Sequence, residues 1–309
     1  MIMPTTGPKV SVIMPARNAA AYLEQAIESA RRQAFTDWEL LVTDDGSTDA
    51  TAEIARGLGA TVLTHVEARG AGAARNTAIA AASGELLAFL DADDVWEPLF
   101  LRVAMQSLAT SGAALFCANG RVIDSSGQPG APLFIRSPLR ATPCATWRKM
   151  ADVSFLCPSQ VVVRRSALPS PMPFDPAMSP AEDWDLWLTL LEGKAPFVYS
   201  SEILMNYRRH EGNTSGSGSG DRHHAAQRRV LRKHYNHASS PFEKATYLRT
   251  LARLETDRAL RDPSPQGLNT LRWAVSRHPG ALFDLLVQPR LRSAARKAMV
   301  MARGLGSVT

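Results

Sequence analysis

Three carboxylates within four positions, Asp91-Ala92-Asp93-Asp94, close an apolar run at 86–90 that reads as a buried strand. Carboxylates crowded at a strand end repel one another unless something positive sits among them. Hard divalent cations such as Mg²⁺ or Mn²⁺ take oxygen ligands, typically one or two carboxylates plus substrate phosphates. The cluster therefore predicts the floor of a metal–diphosphate site. Any fold for this chain must carry strands whose ends open onto a polar crevice.

The residues before the cluster repeat the arrangement. Positions 9–15 form a β-branched run closed by Pro15, and 39–43 form a second run that ends in Asp44 and Asp45. A third strand is expected over 61–65. Helical periodicity separates these runs: Leu23, Ala26, Ile27 and Ala30 recur at i, i+3, i+4 and i+7, with Asn18 as a candidate cap. A second helix capped by Ser47 or Thr48 is expected to run through Leu58, and an alanine-rich one spans 73–82. Strands alternating with helices imply right-handed crossovers and a mostly parallel sheet covered on both faces. Ligands of such sheets bind beyond the carboxyl ends of the strands, where Asp44, Asp45, Asp91, Asp93 and Asp94 all lie.

Composition sets the outer limits. The 309 residues are 45% hydrophobic, enough for one large domain and an appendage. Three cysteines without metal-ligand spacing read as reduced thiols. The opening residues lack a basic-then-apolar leader and no apolar run of roughly 18 residues appears, so the expected location is cytoplasmic. The net charge of +6 conceals two regions. Residues 1–221 hold 18 Lys/Arg against 24 Asp/Glu, net −6, and residues 222–309 hold 17 against 5, net +12. The expected division is a catalytic domain over 1–220 and a basic helical region over 221–309. That region suits contact with anionic lipid at the inner membrane face. It contains no recognisable nucleic-acid module.

Four stretches in order, Val10-Ser-Val-Ile-Met-Pro15-Ala-Arg17-Asn18, Glu39-Leu-Leu-Val-Thr-Asp44-Asp45-Gly-Ser-Thr-Asp49, Gly72-Ala73-Ala74-Arg75-Asn76 and Leu90-Asp91-Ala92-Asp93-Asp94-Val95-Trp96, resemble the successive motifs of family 2 glycosyltransferases. The resemblance implies a GT-A type nucleotide-diphospho-sugar fold with a C-terminal helical region, and transfer with inversion at the anomeric carbon. It implies that Pro15 and Asn18 edge the nucleotide and that Asp45 accepts from its base. Arg69 and Arg75 would flank base and phosphates, Asp91 would face the ribose, and Asp93 would coordinate Mn²⁺ or Mg²⁺, with Asp91 and His210 at the metal. Arg17 stands where the family usually has an aromatic residue. Asp49 is expected to shape its turn, and Asp94 either joins the site or caps a helix begun by Glu97-Pro98.

Further along, 101–108 reads as a helix, 113–118 as a strand, 121–127 as part of a hairpin, 128–150 as acceptor-side loops and 160–163 as a strand. A proline-rich connection leads to Glu182-Asp183-Trp184-Asp185-Leu186-Trp187. Acids in the first turn of a helix can simply complement its dipole. The resemblance assigns this pair the catalytic base, Asp183 first and Glu182 second. An in-line displacement needs one carboxylate to take the proton of an acceptor hydroxyl. After an extended segment at 202–207, the Ser/Gly tract at 215–220 reads as a linker or a loop over the donor, and four helices are expected from 225 to 304. No Gln-x-x-Arg-Trp motif follows the Glu-Asp helix, as the family's processive polymer synthases would require.

The expected partners are a nucleotide-diphosphate sugar, UDP-linked by preference, and a saccharide or lipid-linked saccharide acceptor. The alternatives are a nucleotidyltransferase, which would need a glycine-rich, lysine-bearing loop after the first strand, and a non-catalytic nucleotide-sugar-binding protein.

Overall fold

The computed structural model describes residues 9–132, 143–152, 156–213 and 220–261, with isolated positions 269 and 276. The chain divides into two compact units, residues 1–150 with 154–226, and residues 151–153 with 227–309.

The first unit is a mixed α/β structure. In chain order it contains β1 (Val10–Ala16), α1 (Leu23–Arg31), β2 (Trp38–Asp45), α2 (Thr51–Gly57), β3 (Thr61–His65), α3 (Ala71–Ala81) and β4 (Leu86–Phe89). Then follow β5 (Val95–Trp96), α4 (Phe100–Ser111), β6 (Leu115–Ile123), β7 (Pro129–Pro132), α5 (Pro143–Asp152), β8 (Val161–Arg164), α6 (Glu182–Glu192) and β9 (Phe197–Arg208). The sheet order is β3-β2-β1-β4-β8-β6-β9-β5, with β7 paired to β6. Strands β3, β2, β1 and β4 are mutually parallel, the outcome expected of strand–helix alternation. β8 enters antiparallel between β4 and β6, and β9 returns parallel to β6. The expected hairpin is present, pairing Ile123 with Pro129.

The central parallel strands β1 and β4 are buried on both faces, which is why they read as unbroken apolar runs rather than alternating ones. Val12, Met14, Leu23, Ile27, Val42, Ala88, Leu101 and Phe116 share one core, capped by the stacked rings of Trp96 and Phe100. At the amino-terminal ends of the strands, Glu39 ties the sheet together. It accepts from the Ser11 hydroxyl at 2.6 Å and from the Ser83 amide and hydroxyl, both at 2.7 Å.

Several local expectations are corrected. Asn18 caps no helix, because α1 starts at Leu23 with Tyr22 before it and no side-chain cap. Neither Ser47 nor Thr48 caps α2, whose N-cap is Ala50. Residues 128–150 are not loops throughout: β7 and α5 lie within them, and prolines at their borders hid both. The Ser/Gly tract apart from Gly220 lies outside the described residues. So do the helices expected over 268–276 and 279–304, apart from the two isolated positions.

The described part of the second unit consists of most of α7 (Gly220–His237) and α8 (Pro241–Arg261). Val230, Leu231, Tyr247, Leu251 and Ala252 are buried, and Arg228 grips the buried Glu255 through two bonds of 2.6 and 3.1 Å. Among the described residues, no helix is long and apolar enough to cross a membrane.

The Glu39 end of the sheet yields a stability test. A Cβ on Gly84 would lie 2.6 Å from the Ser11 amide nitrogen, a contact that only backbone movement relieves. Gly84→Ala should destabilise the protein by about 1–3 kcal/mol, read from its urea midpoint.

Candidate active site

The carboxyl ends of β1, β2 and β4 open on one side of the sheet, and the acidic motif lies just past β4. The Asp91 amide donates to the Ser159 hydroxyl at 3.0 Å, and the Asp94 amide closes a tight turn onto the Asp91 carbonyl at 3.1 Å. That turn sends the carboxylates different ways. Asp91 and Asp93 remain partly exposed, whereas Asp94 is fully buried, accepting from the Ser159 hydroxyl at 2.6 Å and the Arg208 amide at 3.0 Å. Burial and the charges of Asp93 and Asp91 push the Asp94 carboxyl well above its ordinary range. Asp94 is a tie inside the floor. It does not cap α4, which begins at Phe100 after Leu99.

Asp93 is gripped from the end of β9. Its Oδ2 lies 3.0 Å from His210 Nε2 and 3.2 Å from Asn213 Nδ2. The Gly212 amide donates to His210 Nδ1 at 3.1 Å, which assigns the ring hydrogen to Nε2 and makes His210 a donor to Asp93. Beneath this loop Arg208 is buried. It donates to the Asp93 carbonyl at 2.9 Å and to Gln25 Oε1 at 2.8 Å, and lies over the Tyr22 ring at 5.0 Å. Tyr22 also packs on His210, with ring centroids 4.6 Å apart. Burial first, then the charge of Asp91, raise the Asp93 carboxyl. Asn213, Arg208 and Tyr22 escaped the sequence reading, although the first two flank His210 in the same polar stretch.

The second wall is the amino-terminal turn of α6. Glu182 is buried, and its Oε1 meets Arg75 Nη1 at 3.2 Å, while Arg75 Nη2 meets Asp91 Oδ1 at 2.6 Å. One buried guanidinium thus joins the acidic motif to the Glu182-Asp183 pair. Arg75 lies 5.3 Å over the Phe174 ring, and Asn76 fixes Phe174 by bonding its carbonyl and its amide at 2.7 and 3.0 Å. These contacts explain why the proline-rich connection frames the site. Gly72 is required beside it, because a Cβ there would come within 2.8 Å of Glu182 Cγ. Asp183 is partly exposed, and its Oδ1 accepts from the Trp184 amide at 2.7 Å. Burial and the Glu182 charge raise its carboxyl to about 7, against the lowering pull of Arg75.

The remaining candidates lie in two interlaced loops and a third that leans on them. The Asn18 amide donates to the Ser47 hydroxyl at 2.9 Å, and Asn18 Oδ1 accepts from the Thr48 amide at 2.8 Å. Asp49 shapes its turn through the Thr51 amide at 3.0 Å and also accepts from the Ala20 amide at 3.2 Å. Pro15 is buried at the end of β1, and Arg17 and Arg69 are exposed. Asp45 accepts from His65 Nδ1 at 2.7 Å and from the Arg69 and Gly70 amides, both at 2.8 Å. Burial favours its neutral form, but these donors outweigh it and hold the carboxyl below its usual value.

Chemically, the crevice offers a crowded carboxylate pair on one side and a carboxylate tuned near neutrality on the other. Among the described residues no three His, Cys, Asp or Glu side chains converge on one point. A cation here would therefore draw part of its coordination from its substrate, as Mg²⁺ and Mn²⁺ commonly do.

The family model described as glycosyl transferase family 2 matches residues 11–169. The chain is 32% identical over 186 residues to the UDP-Glc:alpha-D-GlcNAc-diphosphoundecaprenol beta-1,3-glucosyltransferase WfgD of Escherichia coli, covering 59% of this chain and 70% of that protein. It is 30% identical to the putative teichuronic acid biosynthesis glycosyltransferase TuaG of Bacillus subtilis, covering 65% and 79%. Among solved structures, S. aureus TarS 1-349 in complex with UDP-GlcNAc superposes with a TM-score of 0.66 at 21% identity, over 93% of this chain and 83% of that one. The mannosyltransferase PcManGT of Pyrobaculum calidifontis, in complex with GDP-Man and Mn²⁺, gives 0.62 at 19% identity, over 98% and 87%.

Removing one partner from a buried ion pair strands the others without compensation. Arg75→Met should therefore cost about 3–5 kcal/mol in urea denaturation, and adding Glu182→Gln should recover part of that loss.

Proposed function

This chain belongs to glycosyl transferase family 2, with a GT-A type fold, and we propose that it is a metal-dependent inverting enzyme moving one sugar from a nucleotide diphosphate, UDP by preference, to a hydroxyl acceptor. The observation that carries this reading is the Arg75 bridge, which sets a carboxylate tuned to about 7 beside the wall formed by the acidic motif.

Asp183 takes the acceptor hydroxyl proton as the oxygen attacks the anomeric carbon from the face opposite the nucleotide. A base is most effective when its pKa lies near the working pH. Glu182 sets that value from the side and is itself held by Arg75, so it serves as an orienting neighbour. Asp91 meets the ribose. Pro15, Asn18, Asp45 and Arg69 surround the nucleoside, and Arg75 contributes positive charge on its phosphate side.

Asp93 would hold Mn²⁺ or Mg²⁺, flanked by Asp91 and His210. Burial and the charge of Asp91, which together raise the Asp93 carboxyl, fit a position meant for a cation. When bound, the ion neutralises charge developing on the departing diphosphate.

The names of WfgD and TuaG support an acceptor from cell-surface polysaccharide or lipid-linked sugar synthesis. The net +12 of residues 222–309 suits an anionic, inner membrane face.

Two measurements test the assignment. The rate at saturating substrates should rise with pH through about 7 as Asp183 loses its proton. Glu182→Gln should move that limb to lower pH, since it removes the charge that raises Asp183. Asp183→Asn should lose at least about 100-fold in transfer while keeping UDP affinity, and retained transfer would sink the base assignment. In calorimetric titrations, Asp93→Ala should abolish the Mn²⁺-dependent part of UDP binding, whereas an unchanged metal dependence would refute Asp93 as its ligand.

A further inference from the structure

The His65 ring stands between Asp45 and α3 and was not among the expected site residues. In the parallel register of β2 and β3 it lies opposite Asp45, and both residues are buried. A carboxylate can only accept, so the 2.7 Å contact fixes a hydrogen on Nδ1. On the other side of the ring, Nε2 lies 2.8 Å from Thr77 Oγ1, which also bonds the Ala73 carbonyl at 3.1 Å. The imidazole is therefore held from both sides and cannot swing.

Asp45 receives two further bonds from the Arg69 and Gly70 amides. A carboxylate offers about four acceptor directions, so three N–H donors leave roughly one. The neighbouring turn gives it no room to adjust. Gly46 has φ +66° and an added Cβ would lie 2.9 Å from the Ala68 nitrogen, so the β2 turn and the loop after β3 are pressed together.

We propose that His65 is a positioning residue that determines nucleobase specificity, by fixing Asp45 as an acceptor-only group with one open direction toward the base. Such a group favours an edge that presents an N–H, as uracil N3 does, over one that presents a lone pair, as cytosine N3 does. The proposal rests on the reading that Asp45 faces the donor's base.

Two polar variants separate the roles of the ring nitrogens. In His65→Asn the amide nitrogen stands near the place of Nδ1, keeping the donor to Asp45 and giving up Thr77. In His65→Gln the longer side chain reaches the place of Nε2, keeping Thr77 and giving up Asp45. UDP and CDP affinities measured by calorimetry with Mg²⁺ should show the preference for UDP retained in His65→Asn. In His65→Gln it should fall roughly tenfold, the size of one hydrogen bond to a charged group. The KM for the UDP-sugar should rise in step while kcat stays near that of the parent enzyme. A space-filling role for the ring would instead lower the melting temperature of both variants and leave the UDP/CDP ratio unchanged, which would overturn the proposal. Asp45→Asn decides which premise has failed. If it also leaves the ratio unchanged, Asp45 does not read the base. If it erases the preference while His65→Gln does not, only the role of His65 falls.

Discussion

A single buried guanidinium ties together the two walls of the candidate site. Arg75 sits in the first turns of α3, yet its bonds go to Asp91 beyond β4 and to Glu182 at the start of α6. An unpaired cation in that buried position would be costly, and so would the buried Glu182 carboxylate without it. The three groups therefore define one another's positions. The separation of the acidic motif from the Glu182-Asp183 pair is spanned by this ion-pair bridge. The surrounding parts obey this arrangement: Gly72 gives up its side chain to admit Glu182, and Phe174 lays its ring beneath the guanidinium.

The floor uses a second cation in another way. Arg208 is buried and spends its donors on the Asp93, Asp124 and Ser125 carbonyls and on Gln25. It fixes backbone rather than neutralising a side chain. At the other wall, burial and the Glu182 charge raise the Asp183 carboxyl to about 7, against the lowering pull of Arg75. Carboxylates a few residues apart thus acquire different chemistry from their neighbours, not from their own identity.

The parallel sheet and the convergence of acids at its strand ends were legible because both are local patterns. Apolar runs, helical periods and the residues that close them are neighbours in sequence. The resemblance then assigned roles to Asp45, Asp93 and Asp183 from short motifs of the same kind. What stayed hidden was tertiary. Asn18 looks like a helix cap in sequence, but it laces two loops together. Asp94 is indistinguishable from Asp93 until a tight turn sends one inward. α5 lay hidden behind weak periodicity and bordering prolines, and β5 is only two residues long. Glu182 meets Arg75 across 107 residues and His210 meets Asp93 across 117, beyond the reach of any periodicity.

Those separations carry a temporal consequence. Asp45 finds its partners 20 to 25 residues downstream, whereas Glu182 meets Arg75 across 107 residues and His210 meets Asp93 across 117. Loop-closure entropy opposes the long contacts more than the short ones, and a chain is synthesised from its amino terminus. The loops around Asp45 can therefore assemble while the chain is still growing. The Arg75–Glu182 pair and the grip of His210 and Asn213 on Asp93 are completed only after residue 213 has emerged. A ribosome-bound fragment would hold the Asp45 loops in place before the two long-range pairs that close the crevice could form, so the crevice is completed last.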